Sequence, residues 1–180
     1  MKLVMKSDFE PLTATIAMTT DPAGGIDGAD IMRWVLDGVA ASAPAYLSTQ
    51  SGTAIVSPKL LLSLITYCYA TGILEAQEIT EAAEVDPLIR YLCAGKGLSP
   101  VQIRQFRRRF RDELKNSLVR VFSRCCDEGI PLNELWKDSK YSFCRDKVPL
   151  FQDNSALHIE EIAEERIRFA ILLDTANLDD

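Results

Sequence analysis

The stretch Ser99-Pro100-Val101-Gln102-Ile103-Arg104-Gln105-Phe106-Arg107-Arg108-Arg109-Phe110-Arg111 decides the fold class. Serine makes a good helix N-cap because its hydroxyl accepts from an amide N–H that has no partner within the first turn. Proline suits the first helical position, where its missing N–H is not needed and its fixed φ is already helical. Apolar residues then recur at helical spacing, at Ile103, Phe106, Phe110, Leu114, Leu118, Val121 and Cys125. The spacing predicts one long helix from Pro100 to about Asp127, stopped by Gly129 and Pro131.

The same helix is basic. Arg104, Arg107, Arg108, Arg111 and Lys115 fall at i, i+3, i+4, i+7 and i+11, so they share one face beside the apolar stripe. From Ser99 to Cys125 eight Lys and Arg stand against Asp112 and Glu113, a net charge of +6. The chain as a whole carries −6, which leaves −12 for everything else. A local cationic face of this kind either meets phosphates or pairs with carboxylates elsewhere in the fold. Glu75, Glu78, Glu81, Glu84 and Asp86 are the candidate internal partners, and the charge run alone does not separate the two readings.

Outward from this helix the chain continues to read as helical. At 180 residues, 47% of them apolar, it can bury the core of one domain with extensions. Gly28 to about Ala41 carries an apolar stripe of Ile31, Trp34, Val35 and Val39, and Ser42 to Pro58 reads as an uncharged loop. Ser57 and Pro58 start a helix that runs to Ala70 and stops at Gly72. Short helices follow over Glu75 to Glu84 and from Asp86-Pro87 to Cys93-Ala94-Gly95.

The expected architecture is all-α: a small helical bundle in which short, helix-turn-helix-like helices precede one long basic helix, with an amphipathic C-terminal helix added. Residues 1–27 form an extended arm, 28–131 the helical domain and 132–154 an ordered connection carrying Trp136, Tyr141, Phe143 and Phe151. Residues 155–180 form a helix and tail, with Ile159, Ile162, Ala163, Ile167, Ala170 and Ile171 inward and Glu160, Glu161, Glu164, Glu165 and Arg168 outward.

Residues suited to catalysis are sparse. The single histidine, His158, opens the last helix without a nucleophile signature beside it. The five cysteines lack CxxC spacing and read as reduced thiols; Cys125-Cys126 is a vicinal pair with no second pair to complete a metal site. No phosphate-binding glycine loop or HExxH occurs, so no cofactor and no metal are expected. Leu60 to Leu74 is uncharged but shorter than the roughly 20 residues that span a bilayer. The N-terminus has no secretion signal, so a cytoplasmic protein without membrane association is expected.

Several segments in order resemble a known family. These are Ser57-Pro58-Lys59-Leu60-Leu61-Leu62-Ser63-Leu64-Ile65-Thr66-Tyr67-Cys68-Tyr69-Ala70-Thr71-Gly72-Ile73, then Glu78-Ile79-Thr80-Glu81-Ala82, Asp86-Pro87-Leu88-Ile89-Arg90-Tyr91-Leu92, and Ser99-Pro100 to Phe106-Arg107-Arg108-Arg109-Phe110. Over about residues 28 to 130 they resemble the N-terminal domain of InsH-type insertion-sequence transposases of the DDE class. The resemblance implies a helical domain that engages element ends ahead of an RNase H-like catalytic domain. Two departures accompany it. Leu74-Glu75-Ala76-Gln77 stands where the family often has a Ser-Arg pair, and no Asp-Gly-Thr-like strand follows Gly129.

The sequence therefore leads to a stand-alone, non-catalytic DNA-binding or regulatory protein, with Arg104, Arg107, Arg108, Arg111 and Lys115 on phosphates and DNA as partner. The alternatives are a protein-interaction or oligomerisation module, acting as a homo-oligomer or on a full-length transposase, and an inactive transposase fragment.

Overall fold

Three helix starts in the protein share one device, a capping side chain followed by proline, at Ser57-Pro58, Asp86-Pro87 and Ser99-Pro100. The computed structural model describes residues 28–42, 56–132, 135 and 158–176. These form α1 (Gly28–Ser42), α2 (Pro58–Ala70), α3 (Ala76–Val85), α4 (Pro87–Leu92), α5 (Pro100–Arg109), α6 (Arg111–Asp127) and α7 (Ile159–Ala176), with no strand among the described residues. The all-α expectation holds. The arm at 1–27, most of the loop before Ser57, the aromatics of the 132–154 connection and Cys144 lie outside the described residues.

Each cap satisfies donors that the first turn leaves without partners. Ser57 Oγ accepts from the Leu60 amide at 3.3 Å, and Asp86 Oδ1 accepts from Leu88 at 2.8 Å and Ile89 at 3.2 Å. Ser99 and Gln102 form a reciprocal capping box: Ser99 Oγ accepts from the Gln102 amide, and Gln102 Oε1 accepts from the Ser99 amide. At the other end of α6 the Ile130 amide donates to the Cys125 carbonyl and the Gly129 amide to that of Cys126. This closure needs a left-handed residue, and Gly129 supplies it at φ 70°.

The expected single basic helix is two helices. Phe110, at φ −121° and ψ 41°, leaves helical geometry and becomes both the C-cap of α5 and the N-cap of α6. Its ring packs on Phe106 with centroids 4.6 Å apart, and both rings are buried. Phe106 and Arg107 point inward from α5, whereas the buried stripe of α6 begins at Leu114. Straight-helix arithmetic therefore does not carry across residue 110, and the five cations do not form one continuous face.

α2 is buried from Leu62 to Ala70 and sits at the centre, packed against α1, α4, α5 and α6. α1 also lies on α6 through Ile31, Met32, Val35 and Val39, and α3 packs on α4 and α5. α7 lies on α6 and buries Ile159, Ile162, Ala163, Ile167 and Ala170. At roughly 1.5–3 kcal/mol for each large apolar side chain taken from water, this last helix is part of the core rather than an appendage. Among the described residues no helix is long and apolar enough to cross a membrane.

Candidate nucleic-acid interface

The apolar face that docks α7 carries its acidic residues towards the basic helices. Glu160 Oε2 lies 3.6 Å from Lys115 Nζ, Glu164 Oε1 contacts Arg111 Nη2, and Asp174 Oδ2 lies 2.6 Å from Arg107 Nη2. Numbers rise along α7 as they fall from α6 to α5, so the three pairs form an antiparallel ladder. The counter-ions of these three cations thus come from α7 and not from the expected Glu75 to Asp86 segment; Glu160 does face outward, at 74% exposure, and still reaches Lys115 at the edge of the helix. Periodicity shows which residues face the core, but not which charged neighbours flank that face.

Arg107 cannot serve as the phosphate contact expected of it. It is 2% exposed, donating to the Tyr69 hydroxyl at 2.9 Å as well as to Asp174. Burial opposes its charge, but Tyr69 and Asp174 outweigh that and raise its pKa. Burial also pushes the Tyr69 phenol up to about 12, against the pull of Arg107, so Tyr69 stays a neutral hydroxyl.

Asp174 has a second task. Its Oδ1 accepts from the Ala76 amide at 2.9 Å. Ala76 is the first residue of α3, whose N-cap Glu75 provides no side-chain cap. A carboxylate from the far end of the chain therefore caps α3, where the helix dipole also favours negative charge. Nearby, Arg166 is 2% exposed, donates to the Tyr69 carbonyl at 2.5 Å and lies 5.6 Å from the centroid of the Phe122 ring. Burial lowers its pKa to about 9. Sequence reasoning missed Tyr69, Arg166 and Asp174 as a group, because nothing local distinguishes them from ordinary helix residues.

On α5 the arginines other than Arg107 keep access to solvent. Arg108 is exposed and Arg104 half-buried; they stand at i, i+4 on that helix, and neither has an ion pair among the described residues. Arg109, exposed beside them, lies 5.1 Å from the Phe110 ring centroid. Arg111 and Lys115 are partly exposed, at 40% and 30%, beside their carboxylates. A solvent-accessible guanidinium pair on one turn of helix suits two neighbouring phosphates of a nucleic-acid backbone.

No protein-family model, curated protein or solved structure matches this chain. The functional reading rests on the side chains.

Cys68, Cys93 and Cys125 are free and buried, and burial raises all three thiols, that of Cys125 to about 12. Among the described residues no group of three His, Cys, Asp or Glu is placed to hold a metal ion. His158 is exposed and its Nδ1 lies 3.0 Å from Glu161, one turn along α7.

Proposed function

We propose that the protein is a cytoplasmic, non-catalytic DNA-binding or regulatory protein related to a transposase N-terminal domain, contacting the duplex backbone through Arg104 and Arg108 with Arg109 beside them. The observation that carries this reading is the solvent access of Arg108 and, in part, Arg104, one turn apart on α5 and without an ion pair among the described residues. Their direct test is binding of a fluorescent duplex across a salt series. Each phosphate neutralised contributes a slope of about −0.9 in log affinity against log salt, so R104A/R108A should weaken binding and flatten the slope by about 1.8. Wild-type protein that shows no salt-sensitive binding, or a double variant that binds as wild type does, would reject it.

A second reading is a protein-interaction module, self-associating or acting on a full-length transposase. It is favoured by Val85, Val101 and Leu172, which are large apolar side chains 71%, 51% and 60% exposed. Light scattering on the full chain, with V85S/V101S/L172S as comparison, tests the self-associating form: a wild-type monomer removes it.

A further inference from the structure

We infer that α7 is a built-in electrostatic mask, whose Glu160 and Glu164 stand in for nucleic-acid phosphates on Lys115 and Arg111 and so hold down the protein's affinity for nucleic acid. The inference rests on the DNA-binding reading above and concerns two further cations, Arg111 and Lys115, next to that site in the chain.

The ladder between α7 and the basic helices has two kinds of rung. At Arg107 and Asp174 the side chains are 2% and 5% exposed, and the pair is sealed. At Arg111 and Glu164 they are 40% and 35% exposed, and at Lys115 and Glu160 they are 30% and 74% exposed. Pairs so open to water are weak, and their side chains can part without moving the helix that carries them. The buried rung and the apolar residues from Ile159 to Ala170 keep α7 in place, so a carboxylate displaced by a phosphate stays close to it. Like charges then oppose the incoming strand, and two cations that would otherwise release counter-ions from DNA are withheld. The mask works through charge at fixed backbone geometry and needs no lid to open.

The test compares three full-length proteins on a fluorescent random-sequence duplex over a salt series: wild type, E160Q/E164Q and E161Q/E165Q. Glu161 and Glu165 are exposed on the same helix, and Glu161 lies against His158 rather than a residue of α5 or α6. The two double variants lose the same formal charge, but only E160Q/E164Q removes carboxylates paired with the basic helices. E160Q/E164Q should bind more tightly with a slope steeper by about 1.8, which deepens the affinity loss over a fourfold rise in salt by roughly tenfold. E161Q/E165Q should keep the wild-type slope.

Equal slopes in E160Q/E164Q and wild type overturn the mask while leaving DNA binding by Arg104 and Arg108 intact. Equal steepening in both double variants also overturns it, because overall charge would then be responsible. Binding by E160Q/E164Q alone supports a complete mask and rejects native contact through Arg104 and Arg108; no binding by any of the three rejects both ideas. Circular dichroism of each protein checks that the fold is retained.

Discussion

Arg107 and Asp174, 67 residues apart in the chain, meet at 2.6 Å with almost no exposure to solvent. The pair joins α5 to α7, and through the Ala76 amide it also reaches the start of α3. A charge pair so enclosed is strongly dependent on both members, since losing one leaves the other buried without compensation.

D174A and R107A should each lower stability by about 3–5 kcal/mol in urea unfolding. D174N should cost less than D174A, because its amide oxygen can still accept from the Ala76 N–H while the charge is gone. Equal losses for the two Asp174 variants would show that the cap on α3 contributes nothing measurable.

The six-residue helix α4 depends on Asp86, which accepts from both the Leu88 and Ile89 amides. D86A should cost about 1 kcal/mol and D86S much less, because serine is also a good N-cap. A urea midpoint unchanged in D86A would mean that packing of Ile89 and Leu92 alone sets this helix.

Glu78 gives stability a distinctive pH dependence. Burial, assisted by the charge of Glu75, raises its pKa from 4.5 to about 7. The folded protein therefore holds this proton more tightly than the unfolded chain does. Its contribution is fully present below about pH 4.5 and is lost as pH rises to 7. E78Q, which cannot ionise, should remove this component and be more stable than wild type at pH 8 by about 1 kcal/mol, allowing for the partial exposure of the site. Parallel stability-against-pH curves for the two proteins would contradict this.

Gly28 opens α1 where there is little room. A Cβ added there would lie 3.0 Å from the Tyr67 hydroxyl and 3.1 Å from Leu88 Cδ1. G28A should destabilise by about 1 kcal/mol, although alanine is the better helix former. Y67F removes one of the two obstructing atoms, so the cost of G28A should shrink in that background in a double-mutant cycle. Strict additivity would place the strain at Leu88 instead.

Much of this architecture was legible from local chemistry. The Ser-Pro and Asp-Pro pairs marked the first residues of α2, α4 and α5, and the uncharged run after Lys59 marked the most buried helix. The break at Phe110 was not legible, since it uses neither glycine nor proline and arises where Phe106, Arg107 and Phe110 all turn inward. The basic face was legible as composition but not as geometry. Arg107 is sealed by Tyr69 and Asp174, which lie 38 and 67 residues away, and helical periodicity reports only a residue's own helix. Arg166 and Asp174 were hidden for the same reason, being charged side chains on the inward stripe of α7.

The partnership of Ala76 with Asp174 and of Tyr69 with Arg166 spans 98 and 97 residues, which gives the fold a direction in time. A ribosome delivers α2 to α6 before α7 exists, and contacts of such long separation form late. Until α7 emerges, Arg107 lacks its carboxylate, α3 lacks its cap and the side of α6 that packs on α7 is open to solvent. A chain stalled before α7 would thus present an uncovered apolar surface beside an unpaired arginine, the kind of surface that chaperones and proteases engage.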